Sequence, residues 1–317
     1  MQKKRIIVKI HFWGVRGSIP TPLTPQQIQS KILATVQRIT VEDLKSSETR
    51  AKFVSMLPSW IFGTTGGNTA CVELIHNNTD IILDAGTGLR VLGKSKKCPQ
   101  KYHLFLSHFH WDHINGFPFF DHAFNPNLEI QIYSHHKDAK TYFYNQIIEP
   151  YSPPSVAPSI TKNIVFNNLQ EDKEFFIDDI KVNSHKMRHP GDSYSFSFEV
   201  NGKKFVYATD IELKTTDFYS KTDGQEVFKD ADVIVIDSQY TVEEVYRKEN
   251  WGHSAFCYVI DFAIFWNIKK IFLFHHEPTY DDRKLDSILQ AARWYAQYIG
   301  HSDIQIEIAK ESLEVEL

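Results

Sequence analysis

The sequence predicts an α/β fold, and three observations predict it. The runs 233–236 and 271–274 are continuously apolar, as in strands buried on both faces, and a helical pattern follows each. Residues 194–200, Tyr-Ser-Phe-Ser-Phe-Glu-Val, alternate as a strand with one buried face does. Candidate metal ligands stand just beyond apolar runs, where α/β sheets place their sites. The 317 residues read as one domain spanning 1–317, with an insertion at 21–62.

Taken in order, residues 6–13 form an opening strand, and 14–20 form a loop holding Gly14 and Gly17. Within the insertion, Ile28, Ile32, Leu33, Val36 and Ile39 recur at helical spacing. Leu44, Phe53, Met56 and Leu57 repeat the habit, so two helices are expected between 26 and 57. Their apolar stripe is read as ordinary packing, as a lid over the site, or as the interface of a homodimer. Strands at 69–75 and 81–83 flank the tight turn Asn77-Asn78. Residues 84–88 end the second strand, and 89–93 begin a short helix. The buried strand 102–106 follows, then a turn or short helix start at 114–118. A strand at 129–133, a helix at 137–148 and a Pro-rich loop at 150–158 come next. Strands are expected at 165–169, 180–185, 194–200, 204–208, 233–236 and 271–274, with helices at 242–248, 254–266 and 285–299. No short repeat or low-complexity tract interrupts the chain.

Composition narrows the class of protein. Hydrophobic content of 42% and charged content of 23% fit a globular chain. A net charge of -4 argues against holding nucleic acid by bulk charge, so a nucleic-acid partner is not favoured. Cys71, Cys98 and Cys257 are scattered and odd in number, which fits a reducing compartment and no disulfide framework. Residues 6–10, broken by Lys9, are too short for a signal-peptide core, and no apolar run approaches the roughly 20 residues of a membrane span. The chain reads as cytoplasmic, without a membrane partner.

The most informative segment is Ser107-His108-Phe109-His110-Trp111-Asp112-His113. It sets three imidazoles and a carboxylate, the ligand types of zinc and neighbouring metals, within six residues. His108 and His110 can point the same way off an extended tip, while Asp112 and His113 lie around the bend and are free to serve a second metal. More candidates follow. His189 lies beyond the strand 180–185, Asp210 ends the strand 204–208, and His275 ends the strand 271–274. Four strand ends thus deliver ligand types to one rim. The remaining histidines His122, His135, His136 and His185 are read as structural.

With these motifs in place, the chain resembles the metallo-β-lactamase-fold hydrolases. It is most similar to the phosphodiesterase branch that holds the tRNA 3′-processing endonucleases and the cyclic phosphodiesterases. Trp13-Gly14-Val15-Arg16-Gly17-Ser18-Ile19-Pro20, Gly66-Gly67-Asn68-Thr69 and Asp84-Ala85-Gly86-Thr87-Gly88 carry the resemblance beyond the ligand motif. It covers nearly the whole chain except 21–62. It implies a four-layer αβ/βα sandwich, two sheets face to face with helices outside. By family pattern His108, His110 and His189 bind one metal. Asp112, His113 and His275 bind the second, Asp210 bridges, and Asp84 orients a ligand histidine from behind. His276 stands beside His275 and is the alternative at that position. Trp251-Gly252-His253-Ser254 resembles the Gly-His-Ser/Thr element that carries a general-acid histidine in the endonuclease relatives, so His253 is the candidate acid. The competing reading makes His253 a loop residue and Ser254 a helix N-cap.

The chemistry so implied is hydrolysis by a hydroxide bridging two divalent ions, with Asp112 favouring a dinuclear site. Zinc is the expected metal, and manganese or iron the alternatives, because His and carboxylate ligands suit several ions. The leading expectation is a phosphodiesterase acting on a cyclic nucleotide or another small nucleotide phosphodiester. The alternatives are hydrolysis of lactones, thioesters or other acyl esters, RNA 3′-end processing, and a diiron redox sensor. The mixed charge of 21–62 does not supply the basic arm that tRNA-processing relatives carry.

Overall fold

The computed structural model describes residues 8–152, 163–171, 173–218 and 225–317. Its apolar runs assemble into two seven-stranded sheets. The first contains β1 (Val8–Gly14), β2 (Cys71–His76), β3 (Thr79–Leu83), β4 (Lys101–Phe105), β5 (Glu129–Ser134), β6 (Ile164–Asn168) and, at its edge beside β1, β14 (Glu314–Glu316). The second runs from β7 (Phe175–Ile177) through β8 (Ile180–Lys186), β9 (Tyr194–Val200), β10 (Lys203–Ala208), β11 (Val233–Asp237) and β12 (Lys270–Phe274) to β13 (Gln305–Ile308). Between the sheets, Phe12 and Phe105 meet Phe196, Phe198, Phe272 and Phe274 in one buried cluster. The strand β11 shows why a continuous apolar run was required. Val233 and Val235 face this inner cluster, while Ile234 and Ile236 face an outer one.

Helices cover the outer faces and complete a four-layer αβ/βα sandwich. On the first sheet, α4 (Gly88–Ser95) packs Leu89 and Leu92 onto Ile82 and Leu104, and α5 (Ala139–Asn145) adds Phe143. On the second, α7 (Phe256–Phe265) and α8 (Asp282–Tyr298) pack Val259, Ile260, Leu285 and Leu289 onto Ile234, Ile236, Ile271 and Leu273. The short α6 (Val242–Arg247) follows β11. No helix is long and apolar enough to cross a membrane among the described residues.

The topology sets the site. Strands β3 and β4 run parallel, as do β10, β11 and β12, so the C-terminal ends in each set open onto one rim.

Three strands were not expected: β7, β13 and β14. They are three or four residues long and lie at sheet edges, where brevity blunts further pairing. The helix expected at 137–148 is shorter, because the bonds closing its end have tightened to three-residue spacing, as from Ile147 N–H to Tyr144 O. Ser254 is not a helix cap. Ala255 takes that position, while Ser254 Oγ accepts from the Leu213 N–H at 3.0 Å and donates to the Ile211 carbonyl at 2.5 Å. The expected loop at 150–158 lies outside the described residues from 153 onward, as do residues 6 and 7 of the opening strand.

Between β1 and β2 stand α1 (Pro25–Val36), α2 (Ser47–Ser55) and a further single turn, α3 (Ser59–Phe62). Thr24 and Ser46 start the first two as reciprocal capping boxes. Neither helix buries a residue, so the helical stripe of Ile32, Leu33 and Val36 faces solvent. Anchorage is polar: Lys31 Nζ lies 2.8 Å from Asp282 Oδ2 of α8 and donates to the Gly63 carbonyl at 2.8 Å.

Candidate metal centre

Each cluster residue is delivered by the end of a strand. The loop after β4 turns through a 3₁₀ turn, Trp111–His113, and burial changes along it. His108, Asp112 and His113 are buried, while His110 and Trp111 face solvent. His189 comes from the turn after β8, Asp210 from the end of β10, and His275 from the end of β12. All seven residues gather in two adjoining groups. His108, His110, His189 and Asp210 form one, and Asp112, His113 and His275 form the other.

Asp210 joins the groups. Its Oδ1 lies 3.8 Å from His108 Nε2 and from His189 Nε2, while its Oδ2 lies 3.1 Å from His113 Nε2 and from His275 Nε2. Asp112 Oδ2 stands 3.1 Å from the same two nitrogens of His113 and His275 and accepts the Ser18 N–H at 2.8 Å. In the first group, His189 Nε2 and His110 Nδ1 are 3.2 Å apart.

The far nitrogens are tied down. His113 donates Nδ1–H to Asp84 Oδ2 at 2.8 Å, and the same carboxylate accepts from Ser107 Oγ and from the Tyr207 hydroxyl, both 2.8 Å from Oδ2. His108 Nδ1 donates to Ser107 Oγ at 3.0 Å, and His189 Nδ1 to the Gly252 carbonyl at 2.9 Å. These bonds fix the ring orientations and turn each Nε2 toward the cluster. Such carboxylate or carbonyl support is the usual backing of a metal-bound histidine.

Two glycines give the rings room. A Cβ on Gly17 would lie 2.5 Å from His275 Nδ1, and a Cβ on Gly252 would lie 2.1 Å from His189 Nδ1. Three of the site positions carry backbone strain. Asp84, Asp210 and His275 adopt positive φ angles of 60°, 52° and 59°.

The electrostatics divide the groups. Burial holds His108 well below its ordinary value and lowers His110 and His189, which stay neutral. Around His275 burial opposes the proton, but the carboxylates of Asp210, Asp112 and Asp237 outweigh it and raise the imidazolium to about 9. His113 is likewise raised against burial by Asp112, Asp210 and Asp84. The same pairing outweighs burial at Asp112 and Asp210 and holds both carboxyls well below the carboxylate range.

The donor set fits divalent ions. His108 Nε2 is buried without a hydrogen-bond partner, a costly state that a coordinated cation would relieve. His275 rather than its neighbour faces the cluster, since His276 Nε2 donates to the Ala309 carbonyl at 2.9 Å.

His253 stands at the same rim. It donates Nδ1–H to Asp237 Oδ2 at 2.6 Å, and its ring stacks on His275 with centroids 5.0 Å apart. Asp237, at the end of β11, was not singled out from the sequence, nor were Ser107, Tyr207 and Gly17 as ligand supports. Its only sequence signal was its place, a carboxylate closing an apolar strand as Asp210 does. The histidines read as structural lie elsewhere. His122 bonds the Tyr102 hydroxyl, His135 bonds Ser184, His136 bonds the Asp192 carbonyl, and His185 packs on Phe228.

Fold and donor set together define a metal-dependent hydrolase of the metallo-β-lactamase class. The chain belongs to the beta-lactamase superfamily, for residues 79–276 match the family described as "Beta-lactamase superfamily domain". Among solved structures, the fold is similar to the metallo-β-lactamase fold protein YhfI from Bacillus subtilis, with a TM-score of 0.66, 14% identity, and 99% of this chain and 100% of that chain covered. Yeast PDE1 superposes with a TM-score of 0.63 at 13% identity over 98% of this chain and 100% of its own. The short form of human tRNase Z gives 0.61 at 14% identity over 97% of this chain and 98% of its own. No curated protein matches by sequence.

Proposed function

We propose that this protein is a dinuclear metal-dependent phosphodiesterase that cleaves a cyclic nucleotide or another small nucleotide phosphodiester. The observation that carries the reading is the split carboxylate of Asp210, with Oδ1 turned to His108 and His189 and Oδ2 to His113 and His275. One ion would be held by His108, His110 and His189, and the other by Asp112, His113 and His275, with Asp210 shared. Zinc suits this set first, and manganese or iron would also be accepted. Bound ions supply activation of water and neutralisation of charge on a phosphate.

The remaining work falls to the chain. Asp112, anchored by the Ser18 N–H, holds its carboxylate on the cluster side. Asp84 keeps His113 in one tautomer. His253 donates Nδ1–H to Asp237, and as an imidazolium it would pass its Nε2 proton to the departing alkoxide oxygen and return to the neutral ring. An acyl oxyanion has less need of that acid, so the His253–Asp237 pair supports phosphate over acyl esters.

The test is turnover of bis(p-nitrophenyl) phosphate by zinc- or manganese-loaded protein, with Asp112→Ala alongside. Wild-type turnover that falls at least about 100-fold in the variant is expected, as for loss of a group that positions the reacting atoms. Absence of turnover with both metals, together with hydrolysis of a lactone or thioester, would replace this reading with acyl-ester chemistry.

A further inference from the structure

A concavity of about 890 Å³ is lined in part by Phe109 and Trp111 of the His108–His113 loop. The same loop also lines the metal centre. His108 and His110 serve the centre, and Phe109 and Trp111 line the groove. Opposite them stand Tyr142 and Gln146, from α5 and the turn after it, with Tyr151 and Phe119 at the margins. The aromatic surface is unusually open. Trp111 is 83% exposed, Tyr151 77%, Phe119 64% and Tyr142 44%, although large aromatics normally bury most of their area. Phe109 packs edge-on against Tyr142, with centroids 5.4 Å apart, which holds the two walls together.

One polar atom is aimed at nothing. Gln146 Nε2 is buried and has no hydrogen-bond partner, although its residue lines the groove. An amide donor left over among aromatic rings suits a planar ligand with acceptor atoms on its edge. A groove of this volume lies within the range of small-molecule sites. His110 is the exposed member of the first group, and Trp111, which follows it directly in the chain, lines the groove.

We infer that this groove is the base subsite: it stacks the nucleobase of a nucleotide phosphodiester on Trp111 and Tyr142, and Gln146 donates to the base edge. The inference rests on the phosphodiesterase reading and deepens it, for it makes the substrate a nucleotide ester rather than a simple alkyl phosphodiester. Aromatic stacking of a base is worth about 1–3 kcal/mol by alanine substitution, so one stacking residue corresponds to roughly fivefold to more than 100-fold in affinity.

The experiment is equilibrium binding to the zinc-loaded full chain, read by tryptophan fluorescence and calorimetry, with adenosine 5′-monophosphate and ribose 5-phosphate as probes. The base-bearing probe is expected to quench fluorescence in the wild type and not in Trp111→Phe. Trp111→Ala and Tyr142→Ala are each expected to weaken it about tenfold or more. Ribose 5-phosphate is expected to bind all variants alike. Trp111 is so exposed that its replacement leaves the core untouched, and thermal melting checks this. Equal weakening of both probes, or of neither, overturns the base subsite even if bis(p-nitrophenyl) phosphate is hydrolysed. A Trp111-dependent dimer in sedimentation velocity, without nucleotide binding, assigns the groove to a second copy and overturns it as well. Base-selective binding by a protein that hydrolyses no phosphodiester would leave the subsite standing and remove the catalytic reading.

Discussion

His253 and Asp237 form a closed pair, with Nδ1 2.6 Å from Oδ2, at the rim where β11 ends. The carboxylate fixes the imidazole and strengthens its remaining nitrogen as a proton carrier. A proton donor matters only when the leaving oxygen needs one. His253→Ala is therefore expected to slow a diester with an alkyl leaving group by about 100-fold or more, yet to slow a p-nitrophenyl diester by less than about tenfold. Asp237→Asn should follow the same pattern more weakly. A plot of rate against leaving-group pKa for wild type and both variants decides it, and parallel lines would refute the role.

Metal uptake should release protons. His275 carries its proton up to about pH 9 in the metal-free fold, and His113 is raised as well. Ions bind the neutral imidazole, so each must deprotonate on loading. At pH 7 about two protons should leave per fully loaded molecule, and apparent affinity should fall as pH drops. Calorimetric titration with zinc in buffers of different ionisation enthalpy measures this. Zero release would mean these histidines do not become ligands.

Gly252 supports the first group through its backbone. Its φ is +88°, its carbonyl accepts from His189, its N–H donates to Glu212 Oε2 at 2.9 Å, and an added Cβ would lie 2.1 Å from His189 Nδ1. Gly252→Ala is expected to lower metal affinity about 10- to 100-fold by turning His189. Competition with a chromophoric chelator reads it, and wild-type affinity in the variant would show that His189 does not need this cradle.

The helices between β1 and β2 are expected to depend on one anchor. Asp282 accepts the Thr65 N–H at 2.7 Å and pairs with Lys31 across to α1, and both partners are largely shielded. Asp282→Asn leaves the ammonium without its charge partner and should cost about 2 kcal/mol. Limited proteolysis within 25–57 should accelerate. An unchanged urea midpoint together with unchanged cleavage would show that α1 is held by other contacts.

The helices in 21–62 show where periodicity misleads. Ile32, Leu33 and Val36 have the spacing of a buried stripe, yet they face solvent. Spacing states which residues share a face and says nothing of what meets that face. The short edge strands β7, β13 and β14 carry no local signature for a related reason. Their pairing comes from neighbours distant in sequence, as when Glu314, Val315 and Glu316 pair with His11, Ile10 and Lys9.

The sequence by itself determined the ligand types, their positions after apolar strands, and the strands that could be buried on both faces. Side-chain chemistry and local periodicity are properties of short segments, and they are legible there. The tertiary structure alone decided that Asp210 would split its carboxylate between two groups, that Asp237 would hold His253, and that Trp111 would share a groove with Tyr142. Such residues are distant in the chain, 16 positions apart for His253 and Asp237, and the cluster as a whole also brings together His275 and Asp112, 163 positions apart. Only the closing of two sheets, driven by burial of the phenylalanine-rich layer between them, brings such residues within bonding distance.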